Sequence, residues 1–163
     1  MLARITAALC LAVFLSCGAR AAPTETLVDC ATFRSGWGAA IRALDPGHGP
    51  IGYEPSGDRR RGGDRVSGLV DAEGRLTCQE GKFTRLEVRS AAGSGDEFAM
   101  LVAAVLISLD GAISPQDARR LAEAMRAEAR PGRDAQSSWG PYELSSGRTR
   151  DGREEFVADH AEN

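Results

Sequence analysis

Apolar residues crowd most densely into positions 98–109, where Ser108 is the single polar interruption. No polar stripe appears at any helical angle, and a helix of that kind is buried on every side or lies in a membrane. A bilayer span takes about 20 such residues, so the stretch reads as a central core helix over 97–109. Downstream, Ala118, Leu121, Ala122, Met125 and Ala129 recur at helical spacing, with Arg119, Arg120, Glu123, Arg126 and Glu128 on the other face. This predicts an amphipathic helix over 115–130, with Arg119 and Glu123 placed to pair one turn apart. Start signals precede both helices. Ser94 and Glu97 form a capping-box pattern; Ser114, Pro115 and Asp117 supply a cap, a first-turn proline and a charge for the helix dipole. Asp110-Gly111 separates the two, with Gly111 expected in the left-handed conformation. A calcium-loop reading of that turn fails, because Ala112, Ile113 and Pro115 stand where oxygen ligands are needed.

Upstream, Cys30, Phe33, Trp37, Ile41 and Leu44 are spaced by three or four. They predict a first helix, weakened by Gly36 and Gly38 and ended by Asp45-Pro46-Gly47. Between residues 65 and 90 the period changes to two. Leu76 and Cys78 point one way, and Leu86 and Val88 oppose Arg85, Glu87 and Arg89. Turn signals at 71–74 and 80–82 make this a three-stranded antiparallel meander, from 66–70 through 75–79 to 83–89, with one wet face. After Pro131-Gly132, segments 142–145 and 154–157 form a second hairpin turned near Asp151-Gly152. The expected class is α+β: an antiparallel sheet, three-stranded meander plus C-terminal hairpin, packed on one face by an N-terminal helix and a central helical hairpin. The expected order is helix, three strands, two helices, two strands. Residues 45–65 read as loop, 22–28 as a loose arm, and 158–163 as a polar, unstructured tail that includes His160.

Composition adds most at the N-terminus. Arg4, an apolar run over 5–15 and Ala19-Arg20-Ala21 match a secretory signal peptide, residues 1–21, leaving one α+β domain over 22–163. A competing reading takes residues 14–18 as a lipobox, with lipidation of Cys17 tethering the same domain to a membrane. Cleavage removes Arg4 and Arg20 from 20 basic residues, so 18 face 23 acidic ones and the net charge is near −5. That balance argues against nucleic acid as a partner. Lys82 is the sole lysine; arginine, alanine and glycine are abundant, a usage that fits a GC-rich bacterial genome. Cleavage also leaves two cysteines, Cys30 and Cys78, both on apolar faces. In an oxidising compartment they are expected to form one structural disulfide. Two cysteines and two distant histidines do not make a metal set, and no cofactor is expected.

No catalytic constellation stands out. Residues 47–52 spell G-x-G-x-x-G, but a dinucleotide fingerprint follows a strand and opens a helix, whereas this one follows a helix and contains Pro50. His48, within it, is expected to be a solvent-exposed loop residue. Two clusters are candidate partner contacts. The basic run Arg59, Arg60 and Arg61 would hold a phosphate or carboxylate. Trp139 and Tyr142, in loop-like context, would anchor a partner peptide or stack on a sugar; the other reading tucks them under the hairpin as a lid on the core. The sequence therefore points to an exported, periplasmic or secreted, non-catalytic binding domain. Its expected partner is an envelope or extracellular protein or polymer, met through the wet sheet face or the Trp139–Tyr142 loop, with no transmembrane segment after cleavage. The alternative is a small secreted hydrolase with Glu143, Glu154 and Glu155 along one hairpin face near Glu87, since glycoside hydrolysis takes two carboxylates about 5–9 Å apart.

Overall fold

Alternation along each strand sorts the side chains onto two sides of one sheet, and only one side receives helices. The computed structural model describes residues 26–55 and 62–161. In chain order the elements are α1 (Cys30–Leu44), β1 (Gly52–Pro55), β2 (Asp64–Ser67), β3 (Ala72–Gln79), β4 (Lys82–Ser90), α2 (Gly95–Leu109), α3 (Pro115–Glu128), β5 (Ala135–Trp139), β6 (Tyr142–Arg148) and β7 (Glu154–His160). The strands form one antiparallel sheet in the order β1-β2-β3-β4-β7-β6-β5, so the C-terminal hairpin enters beside β4. This is the α+β arrangement the sequence predicts, with a larger sheet.

The core lies between the sheet and α2, which α1 and α3 flank. Residues 98–106 are buried without a break, as an all-apolar helix requires, and the last turn of α2 is half-buried. Ser108, the one polar residue there, donates its hydroxyl to the Ala104 carbonyl at 2.7 Å, the back-bond that lets a serine sit inside a helix. From α1, Phe33 stacks on Phe83 of β4 at 4.3 Å, and Phe83 meets the Tyr142 ring edge-on at 5.2 Å. Aromatic pairs in these geometries stabilise beyond the area they bury.

Cys30 and Cys78 lie with their sulfurs at bonding distance and their Cα atoms 6.1 Å apart, joining the first turn of α1 to β3. The same junction is sewn by backbone bonds. The Cys30 N–H donates to the Gly81 carbonyl at 2.8 Å, and the Phe83 N–H donates to the Val28 carbonyl at 2.9 Å. Lys82 adds an ion pair with Asp29 at 2.7 Å. Between β3 and β4, Glu80 (φ 51°) and Gly81 (φ 77°) are both left-handed. This is the two-residue turn whose twist matches the strands it joins, and glycine makes its second position easy. One turn further along α1, Arg34 bonds Asp64 of β2 and lies 5.1 Å from the Tyr53 ring of β1. Burial raises the Tyr53 phenol above its ordinary pKa, against the pull of Arg34.

Several expectations are corrected. The order is helix, four strands, two helices, three strands, because β1 and β5 pair at the two rims of the sheet. The first meander strand ends at Ser67, where Gly68 (φ 83°) turns the chain, and Val70 is left 51% exposed. Ser94 does not cap α2; its hydroxyl donates to the Ala91 carbonyl instead. Ser114 does cap α3, accepting the Asp117 N–H at 3.1 Å. Gly111 is not left-handed; α2 ends on an extended Asp110 whose N–H returns to the Leu106 carbonyl. Arg119 reaches the Leu44 carbonyl at the end of α1 at 3.0 Å rather than Glu123. Val28, expected in a loose arm, donates to the Tyr142 hydroxyl at 2.9 Å. His160, expected in an unstructured tail, closes β7 opposite Tyr142.

Candidate binding surface

The uncovered side of the sheet is built by the polar half of each alternation. Arg65 of β2, Glu73 and Arg75 of β3, Arg85, Glu87 and Arg89 of β4, Glu155 and Asp159 of β7, and Glu143 of β6 all alternate with buried neighbours. Register decides which charges meet. Glu73 faces Arg89 and Arg75 faces Glu87 across β3–β4, while Arg89 faces Glu155 and Arg85 faces Asp159 across β4–β7.

These juxtapositions become bonds at the centre of the sheet. Arg85 donates to Glu87 at 2.8 and 2.9 Å and also bonds Asp159. Partial burial works against the Arg85 charge, but the hydrogen bonds and charges of Glu87 and Asp159 outweigh it and hold its pKa above the usual arginine value. Arg89 binds Glu155 with two donors at 2.8 Å, and that hydrogen bond leads the effects raising its pKa. Away from the centre the pattern reverses. Arg65 stands directly opposite Arg75, and Glu143 directly opposite Asp159. Like charges placed opposite one another on a sheet are destabilising. The face therefore has a neutralised middle, a cationic flank on β2–β3 and an anionic flank on β6–β7. A shallow depression of about 410 Å³ lies on the anionic side, floored by Ser138, Ser145 and Val157 and edged by Arg85, Glu143 and Asp159.

Glu154 is not on this face. It shares the inward register of Phe156 and Ala158 and is 5% exposed. Its carboxylate accepts from Arg126 of α3 at 2.8 and 3.1 Å and from Arg148 of β6 at 2.5 Å, and its N–H donates to Ser90 of β4 at 3.1 Å. The expectation of Glu143, Glu154 and Glu155 along one hairpin face is thus corrected by the two-residue period: consecutive residues cannot share a side. The inward alternation of Glu154, Phe156 and Ala158 is the sequence signal for this ion cluster.

The other candidates fall as follows. Arg59, Arg60 and Arg61 lie outside the described residues. Tyr142 is 2% exposed, its ring in the core and its pKa raised by burial against the Val28 hydrogen bond. Trp139, in the strand before it, faces the same way and is half-buried against the core. Both residues therefore face the core rather than the open face. His48 is not solvent-exposed: its ring is wholly buried, with Nδ1 2.7 Å from the Gly49 carbonyl and Nε2 3.7 Å from Glu97. Among the described residues no group of three or more His, Cys, Asp or Glu could hold a metal ion, and no helix is long and apolar enough to cross a membrane. No protein-family model, curated protein or solved structure matches this chain.

Proposed function

We propose that this chain is an exported, non-catalytic binding domain, and that its partner is a protein surface of mixed charge seated on the open face of the sheet. The observation that carries the reading is the layout of that face. Two like-charge pairs, Arg65 opposite Arg75 and Glu143 opposite Asp159, stand on flanks either side of a neutralised centre. A partner presenting acidic groups to the first flank and basic groups to the second matches the charge of each, and such complementarity governs encounter and register more than raw affinity. The carboxylates at the centre are engaged with arginines, an arrangement suited to holding charge in place rather than to passing protons. Export rests on the leader-like pattern of residues 1–21 and on the Cys30–Cys78 pair, which suits an oxidising compartment.

Photo-crosslinkers at Ser145 and Thr77, used on the native host's envelope, are expected to capture one common protein partner. With that partner purified, the double change Arg65→Glu and Arg75→Glu is expected to weaken binding by about tenfold or more. Arg120→Glu on the outer side of α3 is expected to leave it unchanged. Equal affinity of all three proteins would remove the sheet face from the reading. The mass of the mature chain tests export directly: a start at Ala22 fits secretion, a lipid on Cys17 fits the tethered alternative, and an intact Met1 refutes both.

A further inference from the structure

Two carboxylates near the head of α2 are furnished very differently. Glu154 accepts from two guanidinium groups. Glu97 has a buried Oε1 with no hydrogen-bond partner, and the buried Nε2 of His48, 3.7 Å away, has none either. Orphaned buried polar atoms are rare and call for an explanation.

The second ring nitrogen supplies one. Nδ1 of His48 lies 2.7 Å from the Gly49 carbonyl oxygen. A carbonyl oxygen only accepts, so Nδ1 carries a hydrogen. In a neutral ring Nε2 is then a bare lone pair, and a lone pair facing a carboxylate oxygen makes no bond. A single added proton removes the conflict. Either the Glu97 carboxyl donates to Nε2, or an imidazolium N–H donates to the Glu97 carboxylate; the two forms contain the same number of protons.

We propose that His48 and Glu97 hold one proton between them in the folded protein, and that this proton latches the connection between α1 and β1 onto the head of α2. The neighbours act in the required direction. Burial is the largest influence raising the Glu97 pKa; Asp45 at the end of α1 and Asp71 before β3 raise it further, and His48 opposes them. The Arg126 guanidinium lies over Gly95, close enough that a Cβ there would collide with it, but it is turned to Glu154. Because the Glu97 pKa is raised on folding, its contribution to stability is complete below the ordinary carboxyl range of about 4.3. It is lost as pH rises through the raised folded value. The latch closes in acid and loosens towards alkaline pH. The connection it holds runs directly into β1, the rim strand paired with β2, so loosening frees that edge of the sheet first.

Hydrogen exchange on the full chain tests this, with amides 45–52 as the readout and Glu97→Gln as the comparison. The glutamine N–H can donate to Nε2 without titrating. Protection of those amides in the unaltered protein is expected to fall by about tenfold or more between about pH 5 and about pH 9, with Glu97→Gln staying level. Parallel pH dependence in the two proteins overturns the latch. Nitrogen NMR of the unaltered protein is a second test, and it needs no variant to fold. His48 bearing its hydrogen on Nδ1 at alkaline pH supports the latch; a hydrogen on Nε2 and none on Nδ1 overturns it, since that ring would satisfy Glu97 with no extra proton.

Discussion

Leu86 and Glu87 are neighbours in β4 and face opposite sides of the same sheet. Leu86 is fully buried beneath the helices, opposite Leu76 and Ala158 of the adjoining strands. Glu87 lies on the open side and is held by Arg85. One peptide unit thus separates two ways of contributing to the fold. On the covered side a residue stabilises by leaving water and filling space, so its shape matters. On the open side it is held by a partly screened charge pair, so its identity can change at small cost. That leaves the open face able to be shaped by a partner without unfolding the domain.

The comparison can be tested by substitution, beginning where the covered side is most constrained. Replacing Cys30 and Cys78 together by serine is expected to cost about 4 kcal/mol, the chain-entropy value for a closed loop of this length, measured as a drop in urea midpoint. A loss below about 1 kcal/mol would mean that the α1–β3 junction holds without its covalent link. Leu86→Ala comes next, at about 3 kcal/mol, from lost burial plus the cavity left among rigid neighbours. Glu87→Ala is expected to cost less than about 1 kcal/mol, because its pair with Arg85 is partly solvated. If thermal or urea unfolding put Glu87→Ala level with Leu86→Ala, the two sides would not differ in the way described.

The covered side is legible in the sequence because burial leaves a periodic trace. The apolar run at 98–109, the three-and-four spacing from Cys30 to Leu44, and the alternation through Leu76, Leu86 and Val88 all mark residues that the structure encloses wholly or in part. The two strands without a clear sequence signal are both rims. β1 is a four-residue strand containing Gly52 and Pro55, and proline is tolerated in sheets at edges. β5 reads Ala-Gln-Ser-Ser-Trp, with small and polar side chains where an inner strand would show large apolar ones. A rim strand buries less, so composition constrains it less. The open face is half legible. Its charges can be read from Arg85, Glu87 and Arg89, but their partners depend on register between strands far apart in sequence, such as Arg89 with Glu155. The burial of His48 escapes a sequence reading because a glycine-rich stretch looks solvated. Nothing local announces that Glu97, far along the chain, lies beside it.

Lys82 offers a practical consequence. It is the chain's single lysine, and it sits at the start of β4 against Asp29, one residue before the bridged Cys30. A fluorophore attached by amine chemistry therefore has one side-chain destination, at the place where the opening helix is fastened to the strands. Its emission would report whether that fastening is intact while leaving every charge of the open face chemically untouched.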